Sequence, residues 1–271
     1  HDTIAEGVHY LPDDPPASVG WKLVAVNLSD LAAKGAEPVA ALLSLTMTGD
    51  DGWTEALLAG VAAACESYGL PLVGGDTISL PRGAPRVLGL TAIGRSAKAP
   101  YRTGGRPGDR LWLVGTLGDS AAGLALLRVS KHADGLLVHT YRRPVPLLAA
   151  GRALAPQATA MMDVSDGLLL DLSRLCLASG CGAEVDLDTL PLSPPFTAAR
   201  GSDRTARLFA ATGGDDYALL AAVPEQVSLS LPGDVRVSCI GTLTSGSTLS
   251  LADAGGPVPL PEHLGHEHRT A

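Results

Sequence analysis

The pattern of apolar positions predicts that strands and helices alternate along the chain. Over residues 19–38, apolar side chains recur with the 3.6-residue period of a helix, which Gly35 and Pro38 would end. Similar spacing predicts helices over residues 53–69, 118–129 and 165–180. Short apolar runs predict strands over residues 39–47, 70–77, 86–95, 110–116, 158–164, 218–223 and 235–246, and a strand followed by a turn over residues 182–192. Segment 1–10 is predicted as a strand and a turn, and Gly74 with Gly75 as a turn that ends strand 70–77.

This alternation favours an α/β or α+β fold. A length of 271 residues is long for one domain and comfortable for two of roughly 100–150 residues each. Residues 99–109 are rich in glycine, proline and arginine and interrupt the alternation, so they are the best candidate for a domain junction. The sequence therefore predicts one domain over residues 1–104 and a second over residues 105–271.

The composition of the chain disfavours several classes of protein function. Apolar residues make up 46% of the chain and charged residues 18%, which is typical of a globular protein. The net charge of −8 disfavours nucleic-acid binding, which needs a basic face. No apolar run reaches the ~18 residues that a membrane helix needs. The four cysteines form no CxxC pair and are expected to be free thiols, so a cytoplasmic protein is predicted. Because segment 1–10 begins within a predicted strand, we expect the natural chain to extend upstream of His1.

Acidic residues stand at turns between the apolar elements. They are Asp2, Asp30, Asp76, Asp163 with Asp166, and Asp215 with Asp216. Mg²⁺ prefers oxygen ligands, usually one or two carboxylates together with water and substrate phosphates. Separate loops that converge on one cleft would supply such ligands. The alternative for each acid is a helix cap or a turn, and Asp119 or Ser120, and Ser165 or Asp166, are placed to cap two predicted helices.

A phosphate site, if present, does not use a P-loop, because no segment matches GxxxxGK[ST]. Metal ions and arginine would then neutralise the phosphates. Arg102, in the Gly-rich junction, is a candidate phosphate clamp, with a surface arginine as the alternative. His9 follows the first strand and is a candidate ligand-binding residue, with a structural role as the alternative.

Several motifs occur together and in a fixed order. They are HDTIAEGVHY, NLSDLAAKGAEP, YGLPLVGGDT, RTGGRPGD, LVGTLGDSAAGLALL, MMDVSDGLLLDL, LPLS and GGDDYALL. With these motifs, which extend over nearly the whole chain, the sequence closely resembles the thiamine-monophosphate kinase family. That family belongs to the superfamily of aminoimidazole ribonucleotide synthetase, selenophosphate synthetase and a hydrogenase maturation protein.

The resemblance implies transfer of the γ-phosphoryl group of ATP to thiamine monophosphate, with several Mg²⁺ ions and no general base. It implies metal ligation by His1 (through its backbone), Asp2, Asp30, Asp76, Asp163 and Asp166. It implies ATP contacts by Gly75, Asp76, Arg102 and Ser165. It implies contacts with thiamine monophosphate by His9 and Asp215, and it places His266 where the family carries an aromatic residue against the substrate.

The resemblance also implies an architecture. Two domains of the aminoimidazole ribonucleotide synthetase-like fold are expected, with ATP between them. The first domain is expected to pair with a second copy of the chain, so that strands of both subunits form a barrel in a homodimer. No nucleic acid or membrane is expected as a partner.

The sequence departs from the family pattern in three places. An upstream Gly-Asp-Asp segment with metal-binding acids is absent, Asp215 stands where the family usually has glutamate, and His266 replaces the aromatic residue. Two alternatives therefore stand beside the kinase. One is another ATP-dependent synthetase of the superfamily, and the other is a non-catalytic relative that binds nucleotide or metal.

Overall fold

The computed structural model describes residues 1–267, which form two β-sheets and eight α-helices. The strands are β1 (Asp2–Ala5), β2 (Glu37–Met47), β3 (Leu72–Ser79), β4 (Val87–Arg95), β5 (Arg110–Val114), β6 (Ala160–Val164), β7 (Gly182–Asp186), β8 (Ala218–Val223), β9 (Val237–Thr244), β10 (Leu249–Asp253) and β11 (Gly256–Val258). The helices are α1 (Pro16–Ala32), α2 (Asp51–Tyr68), α3 (Asp119–Val129), α4 (Leu136–Arg142), α5 (Leu148–Leu154), α6 (Leu168–Ser179), α7 (Pro194–Arg200) and α8 (Arg204–Thr212). None of the helices within residues 1–267 combines the length and the apolar character needed to cross a membrane.

The first sheet has the strand order β1-β4-β2-β3. Strand β2 is antiparallel to β4 and parallel to β3, and α1 and α2 pack against this sheet. Strand β3 lies at the edge and is exposed along its whole length. Its apolar residues Leu72, Val73 and Ile78 therefore face solvent in the single chain.

The second sheet has the strand order β11-β10-β7-β9-β5-β8-β6. Every neighbouring pair is antiparallel except β7 and β10. Strands β6 and β8 are buried along their whole length, and α6 packs against β6 and β7. Asp163, near the end of β6, lies at the edge of this sheet that packs against α1.

Helix α1 is buried on nearly all sides between the two sheets. It packs against α2, α5 and strands β1, β2, β4 and β6. Its crossing with α2 is very close, because a Cβ atom at Gly20 would lie 2.2 Å from the Leu57 carbonyl oxygen and one at Gly60 would lie 2.0 Å from the Ala17 carbonyl oxygen. Glycine is thus required at this crossing, and the polar residues of α1 are held at fixed positions beside the second sheet.

The four predicted helices and the predicted strands are present, but three local predictions are wrong. Strand β3 does not turn at Gly74 and Gly75, which continue to Ser79 as an extended chain. A Cβ atom at Gly75 would lie 2.0 Å from the carbonyl oxygen of Leu43, so the neighbouring strand β2 explains this glycine.

The two predicted helix caps are also wrong. Helices α3 and α6 follow Gly118 and Gly167, and neither has a side-chain cap. Asp119 instead accepts hydrogen bonds from the hydroxyl groups of Thr116 and Ser193. At α6 the hydrogen bonds run opposite to those of a helix cap. Asp171, in the first turn of the helix, accepts the backbone N–H groups of Ser165 and Asp166, at 3.0 and 2.9 Å.

Candidate active site

A cleft of about 430 Å³ lies where β1 and α1 meet the ends of β6 and β8. Nine of the residues singled out from the sequence line it: Asp2, His9, Asp30, Arg102, Asp163, Ser165, Asp166, Asp215 and His266. They come from both sheets and from the connections around them. The cleft therefore brings together the acids, the arginine and the substrate-binding candidates that the motifs indicate.

Four of the cleft acids, Asp2, Asp30, Asp163 and Asp166, are linked by electrostatic repulsion. Burial raises the pKa of Asp2, and the nearby Asp30 and Asp166 raise it further. Burial, reinforced by Asp30, raises the pKa of Asp163 to about 7, although the Ser29 hydroxyl donates a 2.7 Å hydrogen bond to its Oδ2 atom. A bound cation would relieve this repulsion, so the donor set is chemically suited to Mg²⁺.

Within residues 1–267, no three His, Cys, Asp or Glu side chains are close enough together to form a complete metal centre. Mg²⁺ keeps several waters and binds through one or two carboxylates plus substrate phosphates. The cleft acids are therefore suited to an ion that arrives with a nucleotide.

Asp166 is held differently from the other acids. Its Oδ2 atom accepts a 2.5 Å bond from the guanidinium group of Arg174, which also binds Asp171 at 2.8 Å. The carbonyl oxygen of Asp166 accepts the backbone N–H of His266 at 2.8 Å, so the C-terminal segment is tied to this turn. Ligation of a metal by Asp166 would require the carboxylate to exchange or share its arginine partner.

His1, Gly75 and Asp76 do not line the cleft. Asp76 lies on the edge strand β3, in register through β2 and β4 with Thr3 on β1. Three interstrand spacings separate them, about 14 Å. Since Mg²⁺ ligands lie about 2.1 Å from the ion, Asp76 and Asp2 of one chain cannot share an ion. Roles for these residues in ATP and metal binding stay predictions.

The GGDDY segment separates its two acids. Asp216 is partly buried and accepts the Gly118 N–H with both oxygens, at 2.9 and 3.0 Å, so it anchors the start of α3. Asp215 faces the cleft, and its backbone (φ +65°) and that of Tyr217 (φ +51°) are left-handed, a strained conformation for residues other than glycine. Such strain is typical of functional sites that the surrounding structure holds in place.

Sequence reasoning missed Lys22. This side chain of α1 is 2% exposed, and its ammonium group donates to Asp215 Oδ2 at 2.7 Å and to the His9 carbonyl oxygen at 3.0 Å. The sequence did contain an indication of its role, because Lys22 stands within the apolar run WKLVAV. A lysine buried in such a run needs a partner for its charge.

The raised pKa of Asp163 predicts a pH effect on stability. Without metal, folded Asp163 binds a proton up to about pH 7, whereas the unfolded group is ionised above its ordinary pKa of 3.8. Stability from this group is therefore lost as the pH rises between these values. In EDTA, the melting temperature of Asp163→Asn minus that of the unsubstituted protein should increase from pH 5 to pH 7.5. Adding Mg²⁺ should reduce this increase. A difference that does not vary with pH would contradict the assignment.

Comparison with known proteins defines the class. The model of the AIR synthase related protein N-terminal domain matches residues 1–96, and that of the C-terminal domain matches residues 106–253. The chain with this two-sheet fold is thus an AIR synthase-related protein.

Similar proteins within this class assign the chain to one family. It is 39% identical to thiamine-monophosphate kinase of Salmonella typhimurium over 280 residues, covering 98% of this chain and 85% of that protein. A solved structure described as AaThiL complexed with AMPPCP and TMP has a TM-score of 0.86 and 32% identity, and covers 98% of this chain and 85% of that chain. Thiamine monophosphate kinase of Aquifex aeolicus has a TM-score of 0.85 and 32% identity, covering 95% of this chain and 87% of that chain. This chain belongs to the thiamine-monophosphate kinase family.

Proposed function

We propose that this protein transfers the γ-phosphoryl group of ATP to the phosphate of thiamine monophosphate, producing thiamine diphosphate and ADP, the last step in making thiamine diphosphate. The observation that carries this proposal is the convergence of eight motif residues and His266 on one cleft. The family relatives carry the name of this kinase, and one solved relative is a complex with AMPPCP and TMP. The chemistry of the cleft agrees with that pair of ligands.

Both reactants are anionic, so the main task of the protein is to neutralise charge and to align donor with acceptor. Asp2, Asp30 and Asp163 would supply carboxylate ligands to Mg²⁺ ions that also bind water and the substrate phosphates, with Asp166 as the candidate ligand of a further ion. Bound Mg²⁺ would screen the acceptor phosphate from the donor. The acceptor oxygen is already ionised at neutral pH, which is why the site needs no general base.

The other cleft residues receive separate roles. Arg102 and Ser165 are assigned to ATP, and His9, Asp215 and His266 to thiamine monophosphate. Arg102 is exposed at the mouth of the cleft, where a charged donor would meet a nucleotide phosphate. The Nδ1 atom of His9 accepts the Ala5 N–H at 3.1 Å, which holds the imidazole ring in the wall of the cleft.

A coupled assay for ADP release tests the proposal. The protein is supplied with MgATP and thiamine monophosphate, or with thiamine, or with buffer alone, and the product is identified by mass spectrometry. ADP and thiamine diphosphate should appear in equal amounts only with thiamine monophosphate. ADP release that is independent of this acceptor would favour another synthetase, and tight ATP binding without turnover would favour a non-catalytic relative.

We further propose that the protein is a homodimer in which the first sheets of two copies pair as a barrel. An edge strand with free backbone groups tends to pair with another strand. On this sheet, apolar side chains are exposed on three adjacent strands: Val39, Leu42, Leu72, Val73, Ile78, Val87 and Ile93. A patch of this kind is typical of a protein interface.

We also propose that the boundary between the two domains lies between residues 104 and 105. A cytoplasmic location is proposed as well, and the free thiols agree with it.

The dimer is tested through Val73, which is 64% exposed near the start of the edge strand β3. Val73→Asp should place a charge in the apolar contact, so light scattering should change from twice the chain mass to the mass of one chain. Val129→Asp is the control, because Val129 is 89% exposed on α3, away from this sheet. A monomeric unsubstituted protein at micromolar concentration would overturn the interface.

A further inference from the structure

Lys22 joins the two candidate substrate-binding residues from opposite sides of the cleft. Its ammonium group donates to the backbone oxygen of His9, in the segment that follows β1, and to Asp215, in the segment before β8. The same group lies 4.2 Å from the centre of the Tyr141 ring on α4. One buried charge therefore connects segments of both halves of the chain.

The contacts leave Lys22 no means of touching a ligand itself. An ammonium group has three hydrogens. One is used by the His9 carbonyl, one by the Asp215 carboxylate, and the third side is covered by the Tyr141 ring. With 2% of the residue exposed, Lys22 acts through its neighbours.

Asp215, by contrast, is fixed and still accessible. Tyr217 donates its hydroxyl to Oδ1 at 2.9 Å while Lys22 binds Oδ2, and the Asp215 N–H donates to the Ser165 carbonyl oxygen at 2.7 Å. The Asp215 side chain remains 27% exposed and lines the cleft. Two donors thus set the direction of the carboxylate, and its remaining lone pairs are free to meet a substrate donor.

We propose that Lys22 is a positioning residue for the acceptor substrate: it orients the Asp215 carboxylate and holds the His9 segment so that both fit thiamine monophosphate. This inference rests on the proposed function. On the ATP side of the cleft, neither Arg102 nor Ser165 forms a hydrogen bond or an ion pair with Lys22. Loss of the ammonium group should therefore affect the two substrates unequally.

The test is Lys22→Met, which keeps the length of the side chain and removes the charge. Its KM for thiamine monophosphate should rise by about tenfold or more while its KM for ATP changes by less than about twofold. Lys98→Met is the matched control, because Lys98 also donates to a carbonyl oxygen, that of Pro156 at 2.9 Å, but lies exposed outside the cleft. The control should leave both constants unchanged.

A double-mutant cycle separates positioning from general stabilisation. If Lys22 acts through Asp215, adding Lys22→Met to Asp215→Asn should raise the KM for thiamine monophosphate by less than about threefold over Asp215→Asn alone. A lysine with only a structural role would lower the melting temperature and turnover without separating the two KM values, and that result would overturn the proposal. Fully additive effects on KM would overturn it as well.

Two further measurements keep the outcome decisive. If Lys22→Met does not fold, Lys22→Gln removes the charge and retains hydrogen-bond donors, and the same unequal change in KM is expected. Calorimetric titration with thiamine monophosphate alone should show weaker binding by Lys22→Met than by Lys98→Met. If the unsubstituted protein turns over thiamine monophosphate and Lys22→Met matches it in KM and binding, this inference alone fails. If the unsubstituted protein shows no turnover, the proposed function fails, and the titration still tests Lys22.

Discussion

Asp163→Asn is expected to lower turnover by more than about 100-fold, which exceeds the loss usual for a residue that only supports a metal ligand. The side chain lies at the end of β6, 6% exposed, among the acids proposed to hold Mg²⁺. Asparagine keeps its shape and can still accept the Ser29 hydroxyl, but it carries no charge to balance the cation. Steady-state ADP release measures the effect, and the melting temperature should stay within a few degrees of that of the unsubstituted protein.

Asp109→Asn is the control for this prediction. Asp109 is also 6% exposed, but it serves the turn before β5, where it accepts the Thr159 hydroxyl at 2.6 Å and the Arg106 N–H at 3.0 Å. Its replacement should lower stability and leave turnover nearly intact. Turnover by Asp163→Asn close to that of the unsubstituted protein would remove Asp163 from the metal-binding set.

Gly60→Ala should destabilise the protein by about 2 kcal/mol, because an added methyl group overpacks the crossing of α1 and α2. The new Cβ atom would lie 2.0 Å from the Ala17 carbonyl oxygen, which is backbone and cannot rotate away. The melting temperature should fall by about 4–8 °C, since 1 kcal/mol corresponds to roughly 2–4 °C in a chain of this size. Differential scanning calorimetry measures the fall.

Gly52→Ala on the same helix is the comparison. A Cβ atom at Gly52 would meet nothing closer than the Asp50 carboxylate at 3.9 Å. Alanine favours the helix over glycine by about 1 kcal/mol in a helix interior, so this change should be neutral or stabilising. Equal losses at positions 52 and 60 would show that the close crossing does not decide the effect.

The main elements of the fold were predictable because they follow local periodicity. Helices α1 and α2 appeared as regular apolar repeats, and β2, β6 and β8 as buried runs. Helices α4, α5, α7 and α8 were missed, since the longest of them has only nine residues and a short apolar repeat is ambiguous. The extended course of β3 through Gly74 and Gly75 was also hidden, because the reason for it lies on strand β2.

The residues of the candidate site were predictable because sequence motifs contain them. The motifs identified the cleft acids, but they did not show which acid performs which task. Asp216 stabilises the start of α3 from 98 residues away, and Asp171 binds the turn that Ser165 and Asp166 were expected to cap. These contacts, like those of Lys22, depend on tertiary packing, which local propensity does not contain.

The position of α1 has a consequence for how the molecule unfolds. Buried residues of α1 such as Leu23 and Leu28 share one hydrophobic cluster with Leu154 and Leu219 from the second half of the chain. Neither half can keep that cluster intact alone, although each corresponds to a separate family model. We therefore expect the two family modules to unfold together, in one cooperative transition, when the chain is heated.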